Sequence, residues 1–453
     1  MTIMGQKKMQ TQAFLIIGLG QTGLSCARFL LEQGHAVSMM DTREQPPCLD
    51  IVQNELPEVL VQTGGLNLGL MLKSDIIVLS PGVDPRLPEI KAAREQQIEI
   101  IGDIELFTRS INEPVIGITG SNGKSTVTTM LAEMAVMAGK QVQVGGNLGL
   151  PALALITDPA PDFYILELSS FQLETVSSLD AYAAVVLNMS PDHLDRYDDV
   201  QQYQDTKAKI YIGSGTMIIN RDDELVNSWS SESRNQLGFT LQSPADNEFG
   251  IIEQGDVTYL AHGQQTLIST AELQVRGEHN IANALAALAL GQTMQLPMPA
   301  MLEAVKQYHG LPHRCQRVGQ QQGVEWINDS KATNVGACIA AIEGLASERN
   351  IILIAGGEGK EQAFADLVPI FESNVKGLIL IGQDAQKIAD ITPASVDQKS
   401  ARNMTEAVKK AEAIAETGDI VLLSPACASF DMYNSYSERG DAFIQAVEAL
   451  CHD

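Results

Sequence analysis

The stretch VIGITGSNGKST, Val115 to Thr126, decides the fold: a short apolar run, a Gly-rich turn, then Lys124-Ser125-Thr126 opening a helix-like segment. Backbone N–H groups of such a turn cradle phosphate oxygens. Lys124 neutralises charge on the β- and γ-phosphates, and the Ser125 hydroxyl is a Mg²⁺ ligand. Gly120, Ser121, Asn122, Gly123 and Thr126 complete the loop. A strict Walker A pattern would want glycine where Ile118 stands, so the loop is a variant. The bland alternative, a Gly-rich turn with an exposed lysine, does not explain why GKST sits between a strand and a helix. The loop is read as an ATP site.

Working outward, similar apolar runs recur: Phe14–Ile17, Ile76–Leu79, Tyr164–Leu166, Ala183–Leu187, Ile351–Ile354, Gly377–Ile381 and Ile420–Leu423. Strands that are apolar throughout and alternate with helices belong to parallel sheets buried on both faces. Three Gly-rich loops follow such strands: GLGQTG at 18–23, the loop above, and AGGEGK at 355–360. They lie too far apart to share one sheet. The expectation is therefore an α/β chain of three domains: a Rossmann-like domain over 1–102, a central P-loop ATPase-like parallel sheet over 103–309, and a Rossmann-like domain over 310–453. The polar stretch from Ser228 to Thr270 reads as extra strands or loops of the middle domain.

The first loop, with Gly18, Gly20, Thr22 and Gly23, follows a strand and opens a helix, and Asp41 ends the next strand. Glycine permits close backbone approach, and a helix N-terminus offers donors to a pyrophosphate. By itself the motif serves a nicotinamide dinucleotide, with Asp41 on a ribose, or any other diphosphate. The P-loop also needs a carboxylate. Glu167 ends a strand, and Asp192, His193 and Asp195 follow another, which brings all four to the ligand edge of a parallel sheet. A lone histidine such as His193 is as often structural as functional.

Thirty Lys plus Arg against 56 Asp plus Glu give a net charge of −26. That excess opposes binding to nucleic acid or anionic membrane, both polyanions. Anionic small substrates remain open to it, because local cations outweigh a field screened within about 8–10 Å. The six cysteines form no CxxC pair and read as reduced thiols. No signal peptide follows MTIMGQKKMQTQ, and no apolar window approaches the roughly 18 residues of a membrane span. A soluble, cytoplasmic, monomeric protein is expected.

GSNGKST, ELSSFQLE, NMSPDHLDRY, GEHNIANALAA, LPHRCQRV, NDSKATN and SPACASFD, in that order from Gly120 to Asp431, resemble the Mur ligase family. The resemblance runs from Gly18 to Gly440. It implies an ATP-dependent ligase that phosphorylates a carboxylate and joins it to an amino acid. The motif set looks most like the branch that adds D-glutamate to UDP-N-acetylmuramoyl-L-alanine in peptidoglycan precursor synthesis.

The resemblance also distributes roles. The GxGxxG loop would hold UDP rather than NAD, with Asp41, Thr42 and Arg43 near uracil and Ser80, Pro81 and Gly82 on a second nucleotide-side loop. Asn147 and His193 match positions near the substrate and second metal. Of two Mg²⁺ ions, Ser125 and Glu167 would hold the first, and His193 with a carbamylated Lys207 the second. From residue type alone, Lys207 and Lys209 are ordinary solvated lysines. Asn280 and Asn283 match positions around the nucleotide base; by spacing alone they are a cap and a core polar pair. Arg314, Asp329 and Lys331 match positions that close over ATP, Lys331 toward the transferred phosphoryl group. Thr333, Lys360, Ser429, Phe430 and the segment through Tyr436 match the amino-acid pocket. Two departures are Glu358, where Asp is common, and Tyr436, where Phe is usual. Competing readings are a nicotinamide oxidoreductase, which leaves GSNGKST idle, a P-loop switch module, and a folylpolyglutamate-type ligase.

Overall fold

A computed structural model describes residues 11–190, 196–275, 277–359 and 362–452. The chain divides into two compact units. One runs to Glu272 and adds Ala282–Lys306; the other is Leu273–Ile281 with everything from Gln307 onward.

The first unit carries two sheets. Five parallel strands lie in the order Leu60–Gln62, Ala36–Met40, Ala13–Ile17, Ile76–Leu79, Glu99–Gly102. The first strand in sequence is central, so the connections leaving it and leaving Ile76–Leu79 diverge and open a crevice at the carboxyl edge. Leu15, Ile16, Ile17 and Ile77 are fully buried, as a two-sided parallel sheet requires.

The second sheet has nine strands. The phosphate-loop strand Val115–Thr119 lies between Phe163–Glu167 and Ala183–Val186, in parallel register. Thr119, Glu167 and the residues after Val186 therefore reach the same edge. Beyond Phe249–Gln254 the strands Val257–His262 and Gln265–Ser269 run antiparallel, so the extension makes the central sheet mixed. The polar stretch from Ser228 to Thr270 supplies four of the nine strands, beginning with Gln236–Phe239.

The second unit holds a six-stranded sheet in the order Gln316–Gln321, Val324–Asn328, Ile420–Leu423, Ile351–Gly356, Val375–Ile381, Asp397–Ser400. Only the first pair is antiparallel. Asp329, Gly357 and Ser424 each follow a strand end at one edge. Each of the three Gly-rich loops thus follows a strand of its own sheet. Cys26, Cys48, Cys315, Cys338 and Cys427 are free thiols, and among the described residues no helix is long and apolar enough to cross a membrane.

Candidate functional site

At the crevice of the first sheet lies a cleft of about 730 Å³. Gly18, Gly20, Thr22, Asp41, Thr42, Arg43, Ser80, Pro81, Gly82 and Asn147 all line it. Gly18 has φ +108°, and a Cβ there would stand 2.6 Å from Ser80 Cβ. Gly23 does not line the cleft; a Cβ there would sit 1.9 Å from Gly18 O, so its role is close packing of helix Gln21–Glu32 on the loop. That helix begins at Gly20 with no side-chain cap, which leaves its first turn facing the loop's ligand side.

Asp41 does not offer a free carboxylate to a ribose. Its Oδ2 accepts from Leu19 N at 2.7 Å, and both oxygens accept from the Arg43 guanidinium at 2.7 and 2.9 Å. Burial would raise its pKa. The Arg43 and backbone hydrogen bonds outweigh that and hold it below the ordinary aspartate value. Asp41 is the clamp that orients Arg43 and the Gly18–Gly20 turn.

The phosphate loop is built from strand ends. Gly120 (φ +149°) would press a Cβ within 3.1 Å of Leu187 N, and Gly123 (φ +83°) within 2.3 Å of the buried Asn283 Oδ1. Asn280 lies one turn earlier on the same helix, Glu278–Thr293, and is half-buried. Ser121 Oγ accepts from Ser190 N at 2.9 Å, and Asn122 N donates to Asn188 Oδ1 at 2.8 Å. Lys124 Nζ donates to Gly120 O and Ser121 O, both at 2.9 Å, so its ammonium lies over the loop. Thr126 is half-buried in the first turn of helix Lys124–Met137.

Ser125 Oγ donates to Glu167 Oε2 at 2.6 Å, and Asn147 Nδ2 donates to Glu167 Oε1 at 2.6 Å. Glu167 is 3% exposed. Among the described residues no three His, Cys, Asp or Glu side chains gather as a metal cage. A phosphate-bound Mg²⁺ does not need one: a hydroxyl and a carboxylate beside the loop, completed by phosphate and water oxygens, suit its octahedral oxygen preference. The Ser125–Glu167 pair fits that requirement.

The reading of Lys207 and Lys209 as solvated is overturned. Lys207 is 2% exposed, and its Nζ donates to Gly120 O at 3.0 Å and Thr119 Oγ1 at 3.3 Å. Lys209 is half-buried and donates to Glu174 O at 2.7 Å. Only one face of helix Val200–Ala208 turns inward, and Lys207 is on it with Tyr203. His193, with Asp192 and Asp195, lies outside the described residues.

In the second unit, Asp329 accepts from Cys315 N at 3.1 Å and Ser424 Oγ at 2.8 Å. Burial pushes its carboxyl up to about 6, against the pull of those bonds and of Arg314. Asp329 thus anchors its loop more than it meets solvent. Lys331 Nζ stands 4.1 Å from the centroid of the Tyr436 ring, and its backbone N–H donates to His313 O at 3.0 Å. Thr333 N donates to Lys331 O at 2.8 Å. Arg314 is half-buried. Ser429 is buried at 2% exposure, and Phe430 beside it is 64% exposed. Lys360 lies outside the described residues. Glu358 pairs with Ala428 through two backbone bonds, which joins the GGEG and ACAS loops.

The sequence reading missed several contributors. Gln172 and Asp84 also line the cleft. Arg439, 1% exposed, donates to Ser330 O and Oγ and to the carbonyls of Cys427 and Ala428, tying together the loops that carry Lys331 and Ser429. Gln172 and Arg196 stand inside quoted motifs, but residue type alone does not reveal what they touch.

The fold and these loops define a P-loop α/β protein in which Glu167 links Ser125 of the phosphate loop to Asn147 of a second, Gly-rich cleft. Family models agree in three consecutive pieces: Mur ligase MurD-like N-terminal domain over 12–102, Mur ligase middle domain over 118–291, and Mur ligase glutamate ligase domain over 313–427. The chain belongs to the Mur ligase family, whose members are ATP-dependent, ADP-forming amide ligases. It is 50% identical over 436 residues to UDP-N-acetylmuramoylalanine--D-glutamate ligase of Nitrosococcus oceani, covering 96% of each chain. With the ligase of that name from Pseudomonas fluorescens it shares 45% over 438 residues, 96% of this chain and 98% of that one. The solved UDP-N-acetylmuramate-alanine ligase of Thermotoga maritima matches in fold, with TM-score 0.60 at 16% identity, over 97% of this chain and 100% of that one.

Proposed function

We propose that this protein joins D-glutamate to UDP-N-acetylmuramoyl-L-alanine at the cost of ATP, in peptidoglycan precursor synthesis in the cytoplasm. One observation carries the reading: Asn147 lines the cleft and hydrogen bonds Glu167, which bonds Ser125 of the phosphate loop. A substrate whose uridine end lies in the cleft can then bring its alanine carboxylate to the γ-phosphate of ATP. The relatives' shared name supports the choice of substrates.

The carboxylate attacks the γ-phosphoryl group, giving an acyl phosphate and ADP. The amine of D-glutamate attacks that carbonyl, and the tetrahedral intermediate collapses to amide and phosphate. The barrier to the first step is repulsion between two anions. Lys124 and the loop N–H groups offset it where charge develops. Mg²⁺ held by Ser125 and Glu167 would screen the β- and γ-phosphates when bound. A second ion on His193 and a carbamylated Lys207 belongs to the same proposal. So does Lys331 as the phosphoryl-side cation of the second unit. Asn280, Asn283, Arg314 and Asp329 are assigned to ATP, and Thr333, Ser429, Phe430, Tyr436 and Lys360 to the glutamate. Domain boundaries near 102 and 310 and a monomeric state complete the reading.

The test is phosphate release from Mg·ATP and UDP-N-acetylmuramoyl-L-alanine, with D-glutamate, L-glutamate, meso-diaminopimelate or L-alanine added singly. Release that needs D-glutamate, with the matching mass gain in the nucleotide, is expected. Release with another amino acid would reassign the pocket residues, and no acceptor-dependent release would refute the ligase reading.

A further inference from the structure

Arg196, next to last in the motif NMSPDHLDRY, is not itself among the residues lining the cleft but bonds its wall from behind. Its Cζ stands 4.4 Å from the centroid of the Phe171 ring. Nε and Nη2 donate to the two carboxylate oxygens of Glu174, at 3.2 and 2.7 Å. Nη2 also donates to the carbonyls of Pro81 and Val83, at 3.2 and 2.9 Å. The arginine and glutamate side chains are 9% and 12% exposed, so water competes little for these bonds.

The two ends of this contact belong to different sheets. Pro81 and Val83 line the cleft, on the loop that follows strand Ile76–Leu79. Phe171 and Glu174 follow strand Phe163–Glu167, whose last residue is the candidate metal carboxylate. Glu174 is held in turn, since its carbonyl accepts from Lys209 Nζ. Six residues before Arg196, Ser190 hydrogen bonds Ser121 of the phosphate loop.

We propose that Arg196 is a positioning residue: through the carbonyls of Pro81 and Val83 it fixes the Ser80–Asp84 wall of the cleft relative to the phosphate-loop sheet. The proposal rests on the reading of the cleft as the sugar-nucleotide site. A planar, forked guanidinium can stack on Phe171, pair with Glu174 and reach both carbonyls at once. A lysine ammonium is a point charge on a flexible stem and cannot.

The experiment compares the full chain with Arg196→Lys and with the double variant Arg196→Gln, Glu174→Gln, which leaves no stranded carboxylate. D-glutamate-dependent phosphate release is measured against UDP-N-acetylmuramoyl-L-alanine and, separately, against ATP, alongside the thermal midpoint. Loss of one charge-assisted bond to the wall corresponds to about a tenfold rise in KM for the UDP substrate. Both variants should show that rise, with kcat and the KM for ATP changed less than about threefold. An unchanged KM for the UDP substrate would overturn the proposal. So would equal rises in both KM values with a lowered midpoint, the mark of general damage, or a wild-type KM in the double variant. If the unaltered chain releases no phosphate with D-glutamate, the functional reading fails first and takes this one with it.

Discussion

Replacing Asp103 by asparagine should shift the stability of the first unit in the variant's favour as pH rises. Asp103 opens helix Asp103–Thr108 and is 2% exposed. Gln172 Nε2 donates to its Oδ2 at 3.1 Å, and its Oδ1 has no hydrogen-bond partner among the described residues. Burial pushes the carboxyl up from 3.8 to about 6, with Gln172 and the N–H groups of Asp103 and Ile104 pulling part of the way back. A folded-state pKa above the unfolded value contributes stability that is complete below about pH 3.8 and is lost as pH rises through about 6. The full swing is about 3 kcal/mol at 1.36 kcal/mol per unit. Roughly half is already lost at pH 5, because the unfolded chain is by then ionised. The remaining swing between pH 5 and pH 8 is on the order of 1 kcal/mol. Asparagine does not titrate, so its advantage over the wild type should grow by that amount, whatever the fixed effect of the amide. Other titrating groups, such as Glu105, are common to both proteins and cancel. Urea unfolding at pH 5 and pH 8 measures the difference. Trp229 lies in the first unit and Trp326 in the second, so a Trp326→Phe background makes fluorescence report the right transition. A stability gap that is the same at both pH values would refute the reasoning.

Lys124→Ala should lower D-glutamate-dependent phosphate release by at least about 10³-fold with an unchanged unfolding midpoint; near-normal turnover would remove the phosphate-loop assignment. Lys207→Ala should be inactive, and bicarbonate, acetate or chloride should restore part of the rate. Full activity of the untreated variant would take Lys207 out of the mechanism. Tyr436→Phe should leave turnover unchanged, because the ring face under Lys331 Nζ is kept, whereas Tyr436→Leu should cut kcat about tenfold. Equal rates for the two variants would show that the ring does not hold the lysine.

The sheets were legible because their strands are buried on both faces: Ile76–Leu79 and Ile420–Leu423 are apolar at every position and appear with the bounds read from sequence. The phosphate loop was legible because its backbone demands glycine at 120 and 123, whatever surrounds it. The four strands between Gln236 and Ser269 were not, since strands such as Val257–His262 carry polar and half-exposed residues among the buried ones. Buried charges were the least legible. Glu105, in the short helix DIELFT, is fully buried and accepts from Ser177 N, Ser178 N, Ser178 Oγ and Arg109 Nε. Its donors are about 70 residues away, except for Arg109, and no local pattern announces them. The carboxyl pays for burial with those bonds, which carry its pKa down to about 2.

The same logic bears on how a chain of net charge −26 holds anionic substrates. In the cleft, the Arg43 charge is offset by Asp41, so a diphosphate bound there as proposed would draw on the helix N-terminus and loop amides as well. At the phosphate loop, Lys124 and Lys207 donate to one and the same oxygen, Gly120 O, at 2.9 and 3.0 Å. Two nitrogens sharing that acceptor stand no more than about 5.9 Å apart. As two ammonium groups they repel by about 3 kcal/mol at an effective dielectric of 20. A carbamate on Lys207 would replace that repulsion by an attraction of similar size and supply an oxygen donor where the proposed second Mg²⁺ needs one. In the proposed reaction Lys124 serves as the cation at the phosphates, which leaves Lys207 as the residue to carry the modification. The shared acceptor and the burial of Lys207 support the proposal that the modification falls on Lys207. It also predicts that removing Lys124's charge weakens carbamylation of Lys207, which ¹³C-bicarbonate labelling of Lys124→Met would register as a lost carbamate signal.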